Sequence, residues 1–119
     1  MMDRKLPTEG YFGFMSEWAP RVASPNPEYL ISFNNGDCLI EYWTPRSEDD
    51  QKPHDRDEIY VIIAGSAKFE MGEKQRNVKA GDLIFVPAGT SHRFFDFGDD
   101  LAMWIAFFGR RYEGFDPTP

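Results

Sequence analysis

Residues 81–92, GDLIFVPAGTSH, decide the fold of this chain. A glycine turn leads into four apolar residues, 83–86, and Pro87 ends this run because proline lacks the N–H that a β-ladder needs. Residues 90–96 predict the following strand, on which alternation places His92, Phe94 and Asp96 on one face. The stretch therefore predicts two short strands joined by a turn, with His92 pointing inward if that face lines a barrel.

Short strands recur on both sides of this stretch, each bounded by Gly, Pro, Asn or Asp. They are predicted at residues 29–33, 38–43, 58–64, 67–71, 76–79 and 101–108. Residues 34–37, NNGD, supply the positive-φ positions of a hairpin turn. Because no long segment carries a capped helical stripe, the even spacing of the strands predicts an all-β antiparallel barrel or sandwich.

The two ends of the chain fall outside this pattern. Residues 1–28 are rich in proline, glycine and aromatic residues and have no regular apolar period, which predicts an N-terminal arm laid over a surface. We expect a barrel domain from residue 29 to 110 and a C-terminal tail from 111 to 119. A chain of 119 residues is long enough for one contiguous core.

Composition excludes several classes of partner. With 20 acidic and 13 basic residues, the formal net charge is -7. This charge repels phosphate backbones and anionic lipid, so neither nucleic acid nor a membrane is expected as a partner. The one cysteine, Cys38, cannot form an internal disulfide, and no apolar run has the length of a signal peptide or a membrane span. These features predict a cytoplasmic protein.

Three side chains are candidates for metal ligands: His54, Glu58 and His92. They include both histidines of the chain. Glu58 begins a strand that is apolar on both faces, where an ionised carboxylate needs a partner such as a cation. Two imidazoles and one carboxylate form a facial set that leaves coordination positions open. Fe(II) is the favoured metal for such a set, and Mn, Ni or Zn is chemically acceptable.

Residues 81–92 resemble the second motif of the cupin superfamily, in which a glycine, five residues, Pro-x-Gly and two residues precede a metal-binding histidine. Where the family has an asparagine four residues further on, this chain has Asp96. Glu58 and Gly65 fit the first cupin motif, with His54 at its second histidine and Lys52 in place of its first. The resemblance implies a small single-domain, jelly-roll-like double-stranded β-helix barrel and a metal site reduced from four ligands to three.

Further residues are candidates for contacting a substrate or completing the metal site. Gln51 could offer an amide oxygen as a fourth ligand, and Lys52 could bind a substrate carboxylate or remain a solvated loop residue. The aromatic side chains that could line a small pocket, or simply pack the core, are Tyr42, Tyr60, Phe94 and Trp104. On the last strand, either the odd-numbered or the even-numbered residues could face inward.

A metal-dependent, oxygenase-like enzyme acting on a small polar or anionic molecule is the function expected of this site. Isomerase or lyase chemistry at the same metal is an alternative. So are a non-catalytic module that binds a small molecule and a barrel without metal. The outward residues Ile59, Val61 and Ile63, together with the aromatic arm, predict a homodimer unless the arm folds back on its own barrel.

Overall fold

The computed structural model describes residues 10–23, 27–46, 48–49 and 52–109. Within these residues it contains one helix, α1 (Met15–Val22), and eight strands. The strands are β1 (Tyr29–Asn34), β2 (Cys38–Trp43), β3 (Asp57–Ala64), β4 (Ser66–Met71), β5 (Lys74–Lys79), β6 (Leu83–Val86), β7 (His92–Phe95) and β8 (Ala102–Phe108). Their bounds lie close to those predicted from the sequence, and the all-β class is confirmed.

The strands form two antiparallel sheets packed face to face. One has five strands in the order β1-β2-β8-β3-β6, and the other has three in the order β5-β4-β7. The core between them receives side chains from both sheets, including Tyr60 and Ile62 of β3, Phe69 of β4, Phe94 of β7 and Met103 of β8. This arrangement agrees with the predicted jelly-roll barrel.

Alternation along β3 decides which of its side chains reach this core. Glu58, Tyr60 and Ile62 are buried, whereas Val61 on the opposite face is exposed. The register extends the inner face across the sheet, because Glu58 is paired with Val86 on one side and with Phe107 on the other. The carboxylate of Glu58 is thereby held on the inner face of the barrel.

The N-terminal arm contains a helix that the sequence did not predict. α1 has only eight residues, no side-chain hydrogen bond at its N-cap and a proline, Pro20, inside it, so the usual signals of a helix are weak. Its Val22 packs with Tyr42 and Ala102 on the outer face of the five-stranded sheet, and Trp18 packs against the same cluster. Tertiary packing therefore stabilises the helix, and the arm covers part of its own barrel.

The predicted C-terminal tail, residues 111–119, lies outside the described residues. Among the residues that are described, no helix is long and apolar enough to cross a membrane.

Candidate metal centre

The three candidate ligands come from different parts of the barrel. Glu58 lies near the start of β3 in the five-stranded sheet, and His92 is the first residue of β7 in the three-stranded sheet. His54 lies four residues before Glu58, in the segment that joins β2 to β3. The fold thus brings both imidazoles to one carboxylate.

The distances between these groups suit a shared ion. Nε2 of His92 lies 3.0 Å from Oε1 of Glu58, and Nε2 of His54 lies 3.6 Å from the same oxygen. One potential ligand atom from each residue lies within 4.8 Å of the other two. Because nitrogen and oxygen ligands sit about 2.0–2.2 Å from a transition metal such as zinc, one ion can contact all three side chains after small adjustments.

Burial makes these groups dependent on a partner. Glu58 is fully buried and His92 is 4% exposed. Neither carboxylate oxygen of Glu58 nor Nε2 of His92 has a hydrogen bond of good geometry from any described residue, although the two groups form a close ion pair. Buried charges of this kind need a counter-charge, which a proton on His92 or a divalent cation would supply. The donor set therefore fits a metal ion.

A backbone contact orients His92 for this role. Its Nδ1 lies 2.8 Å from the carbonyl oxygen of Thr90, so Nδ1–H can donate to that carbonyl while Nε2 points toward Glu58. Metal-binding histidines commonly donate their other ring N–H in this way, which fixes the tautomer and the ring. The geometry leaves the Nε2 lone pair available to a metal once the ring is neutral.

The two imidazoles differ in their protonation. Burial is the largest influence on His54 and lowers its pKa, with the neighbouring His92 acting in the same direction and Glu58 opposing it. Burial also acts to lower the pKa of His92, but the contacts with Glu58 and the Thr90 carbonyl outweigh it and raise the pKa overall. In the absence of a metal, His92 therefore holds a proton facing Glu58 up to a higher pH than His54 does.

A cavity of about 260 Å³ adjoins one of the three candidate ligands, His54, which forms part of its wall. Inner-face residues of β2 and β8, among them Glu41, Trp43, Ile105 and Phe107, line it as well. Burial, and to a lesser extent the charge of Glu58, raises the pKa of Glu41 to about 7. A small molecule in this cavity would lie beside His54 and a carboxyl group that titrates near neutral pH.

The other candidates from the sequence are placed elsewhere. Tyr60 and Phe94 are fully buried in the core, with ring centroids 5.0 Å apart, and they line no cavity next to His54. Tyr42 and Trp104 pack against each other on the outer face under α1. Neither of these two candidates lines the cavity beside His54, because the odd-numbered residues of β2 and β8 face it, and Trp104 lines a different cavity together with Tyr11 and Val61. Lys52 is exposed, and Gln51 lies outside the described residues.

Three residues near the candidate ligands were missed in the sequence. Glu41 and Trp43 lie on the inner face of β2, and Asp49 is buried in the segment before His54. Glu41 carried the same signal as Glu58, a carboxylate within an apolar strand, and could have been found by it. Asp49 could not, because a cluster of acidic residues in a polar segment looks like solvated loop.

The family model for the cupin domain matches residues 39–108, well over half of the chain. A curated relative, an uncharacterized protein of Streptomyces coelicolor, is 37% identical over 59 residues. That match spans 50% of this chain and 56% of the relative. The family match includes all of β3 and β7, which carry Glu58 and His92.

Solved structures share the architecture at low sequence identity. KdgF from a Halomonas species has a TM-score of 0.62 at 20% identity, with 74% of this chain and 86% of that chain covered. A cupin-2 domain containing protein from Shewanella frigidimarina has a TM-score of 0.65 at 13% identity, over 82% and 94%. The DMSP lyase DddQ from Ruegeria pomeroyi has a TM-score of 0.60 at 22% identity, over 76% and 49%. At these identities the similarity is one of fold.

Proposed function

Since the chain belongs to the cupin domain family, we propose that it is a metal-dependent enzyme that acts on a small molecule, with a divalent cation held by His54, Glu58 and His92. The observation that carries this proposal is the buried carboxylate of Glu58. It receives no hydrogen bond of good geometry from any described residue and lies close to two imidazole nitrogens. Fe(II) is the favoured ion for two histidines and a carboxylate, with Mn, Ni or Zn acceptable.

The ion and the residues around it would have different roles in the reaction. When bound, the ion supplies a Lewis acid with open coordination positions, or a centre that activates oxygen. The Thr90 carbonyl holds the ring of His92 in one orientation, and Ile105 and Phe107 exclude water from the side of the cavity that they form. Glu41 can accept or return a proton near neutral pH, because burial raises its pKa to about 7.

The same site could serve three functional classes, which differ in what an experiment would find. The ligand set favours an oxygenase-like oxidoreductase. Glu41 favours a lyase or isomerase, since both need a group that takes up a proton beside the metal. A binding module without turnover would use the same cavity but would give no product with any substrate, only a saturable rise in melting temperature on ligand binding.

The proposed metal site is tested by metal analysis of the purified protein and of two single variants, His92→Ala and Glu58→Gln. We expect the parent protein to retain about one ion per chain after desalting and each variant to bind at least about tenfold more weakly. Glu73→Gln is the matched control, because it removes the same charge at an exposed position. Far-UV circular dichroism checks that each variant is folded.

His54→Ala provides a second test if His92→Ala does not fold, since the side chain of His54 is 29% exposed and less involved in the core. A parent protein that binds no Fe(II), Mn, Ni or Zn would overturn the proposal. So would a Glu58→Gln variant that binds them as tightly as Glu73→Gln does.

We also propose that the protein forms a homodimer through the outer face of β3 and β6. Val61 of β3 and Leu83 and Phe85 of the edge strand β6 are exposed there, at 37%, 63% and 45%. A contiguous exposed apolar patch of this kind is typical of an interaction surface. Sedimentation velocity should show a dimer for the parent protein and a monomer for Leu83→Glu, and a monomeric parent at about 50 μM would contradict the proposal.

A cytoplasmic location and the lack of a nucleic acid or membrane partner stay predictions from composition. The excluded partners rest on the formal net charge of -7, and the cytoplasmic location rests on the single cysteine, Cys38.

A further inference from the structure

The cavity beside His54 carries an excess of negative charge. It has no lysine or arginine among its described lining residues. Its acidic side chains are Glu28, Glu41, Glu48 and Asp49. These carboxylates would repel an anionic ligand in the cavity, which argues against the anionic substrate that the sequence suggested.

Glu41 is the acidic group most in need of a counter-charge. It lies on the inner face of β2, opposite Ile105 of β8, and makes no hydrogen bond or ion pair with any described residue. Burial raises its pKa to about 7, with the charge of Glu58 adding to the effect. Glu58 itself is fully buried and lies 3.6 Å from the His54 ring that forms part of the cavity wall. A positive group in the cavity would offset both the cost of burying an ionised Glu41 and its repulsion by the charge of Glu58.

Aromatic surface lies next to these carboxylates. Trp43 and Tyr29 line the same cavity, and they are paired in register across β1 and β2. The face of an aromatic ring attracts an organic cation, and tryptophan does so most strongly. A small cavity lined by carboxylates and aromatic rings should bind an ammonium group more tightly than a neutral or anionic group of the same size.

From these observations we propose that the cavity binds a small organic cation, an ammonium or other onium group carried by the substrate. The inference rests on the proposed function in one respect: His54 belongs both to the cavity wall and to the metal site, so a substrate held by its positive end would present its other end to the metal. A cavity of about 260 Å³ limits that substrate to a few heavy atoms beyond the onium group.

Choline and its uncharged carbon isostere 3,3-dimethylbutan-1-ol are suitable probes, because they have the same shape and differ in charge. Binding is followed by the indole N–H signals in a ¹H–¹⁵N spectrum of the full chain. The protein has three tryptophans. Trp43 lines the cavity, whereas Trp18 and Trp104 belong to the outer cluster and serve as internal controls. We expect choline to shift the Trp43 signal saturably and to bind about tenfold more tightly than the isostere.

Glu41→Gln is the variant that tests the role of the carboxylate, because it keeps the shape of the side chain and removes its charge. We expect it to weaken choline binding about fivefold while leaving the weaker binding of the alcohol unchanged. Glu73→Gln, which changes the net charge equally at an exposed position, should bind choline like the parent. Equal affinities for choline and the alcohol, or equal affinities of the two variants for choline, would overturn the proposal.

Metal content measured on the same samples separates this inference from the proposed function. Choline binding by a protein that holds no metal would support the cation site and count against the metal-dependent enzyme. A metal-loaded protein in which choline leaves the Trp43 signal unmoved would do the reverse. Propionate is the anionic probe, and tighter binding of propionate than of choline would also overturn the inference.

Discussion

The carboxylate of Asp49 accepts a hydrogen bond of 2.9 Å from the backbone N–H of Phe94. Asp49 lies in the segment that carries His54, and Phe94 lies on β7, the strand that carries His92. Because β7 lies at the edge of the three-stranded sheet that the described residues form, Asp49 supplies an acceptor where none of those strands does. This buried hydrogen bond ties the segment that carries His54 to the strand that carries His92, together with the hydrogen bond that the Gly89 N–H donates to the carbonyl oxygen of His54.

Asp49→Ala should weaken metal binding about tenfold, because the segment that carries His54 loses its side-chain attachment to β7. Asp49→Asn should recover most of the affinity, since its amide oxygen can accept the same hydrogen bond. The measurement is competition with a chelator for Co(II) or Zn(II). Glu48→Ala, at the adjacent exposed position, is the control and should bind like the parent. Unchanged affinity in Asp49→Ala would show that the attachment does not matter to the site.

Metal affinity should rise with pH. The contacts with Glu58 and Thr90 raise the pKa of His92 against the lowering effect of its burial, so a metal must displace a proton from this ring. We expect the apparent affinity to increase about tenfold per pH unit below that pKa and to level off above it. His54 adds little, because burial lowers its pKa. Chelator competition at pH 5.5, 6.5 and 7.5 measures the slope, and a flat profile would contradict the prediction.

The stability of the metal-free protein should fall as the pH rises from about 4.5 to about 7, on account of Glu41. Burial raises the pKa of this carboxyl from 4.5 to about 7. In that interval the folded protein keeps a proton on Glu41 that the unfolded chain has already released. Folding therefore takes up a proton, and the free energy of unfolding falls as the pH rises until Glu41 ionises in the folded state as well.

Glu41→Gln cannot ionise and so avoids this loss of stability. The stability of the variant relative to the parent should therefore rise by about 1 kcal/mol from pH 5 to pH 8, a value reduced for the partial exposure of the group. Urea unfolding in the presence of EDTA measures the difference. Glu73→Gln is the control, and the prediction fails if the stability difference between Glu41→Gln and the parent is the same at both pH values.

Gly65→Ala should destabilise the barrel by about 2–4 kcal/mol. Gly65 has a φ of +80°, and a Cβ at this position would lie 2.8 Å from the Cα of Leu101. Backbone strain and a steric clash therefore add. Gly81→Ala is the matched control, because its φ of +95° imposes the strain while no described atom lies within 4 Å of the new Cβ. Equal shifts in the urea midpoint for the two variants would mean that the approach to Leu101 has no energetic weight.

Much of the fold could be predicted because the strands obey local rules. Asp96 shows how local the rules are. Its φ of 52° lies in the left-handed region, which both aspartate and asparagine tolerate, so the replacement of the asparagine in the family pattern leaves the turn intact. The candidate ligands His54, Glu58 and His92 followed from motif spacing, which fixes their positions relative to turns and strands.

What could not be predicted depends on long-range packing. The two faces of β8 are both apolar, so only the register with β2 and β3 shows that Trp104 faces outward and Ile105 inward. α1 forms because Val22 finds a partner in Tyr42, a contact between distant residues. The acidic cavity likewise arises where the strands β1 and β2 and a distant segment meet, and no local pattern reveals that Glu41 and Asp49 line the same space.

The placement of Glu58 and His92 on opposite layers gives a bound ion a mechanical role. An ion bound by both residues would cross-link the two sheets, and sliding of one sheet past the other would alter its coordination. The relative position of the two sheets and the affinity for the ion would then be thermodynamically coupled. A ligand in the cavity, which β2 and β8 of the five-stranded sheet help to line, would then affect the three-stranded sheet as well, with no hinge or moving domain required.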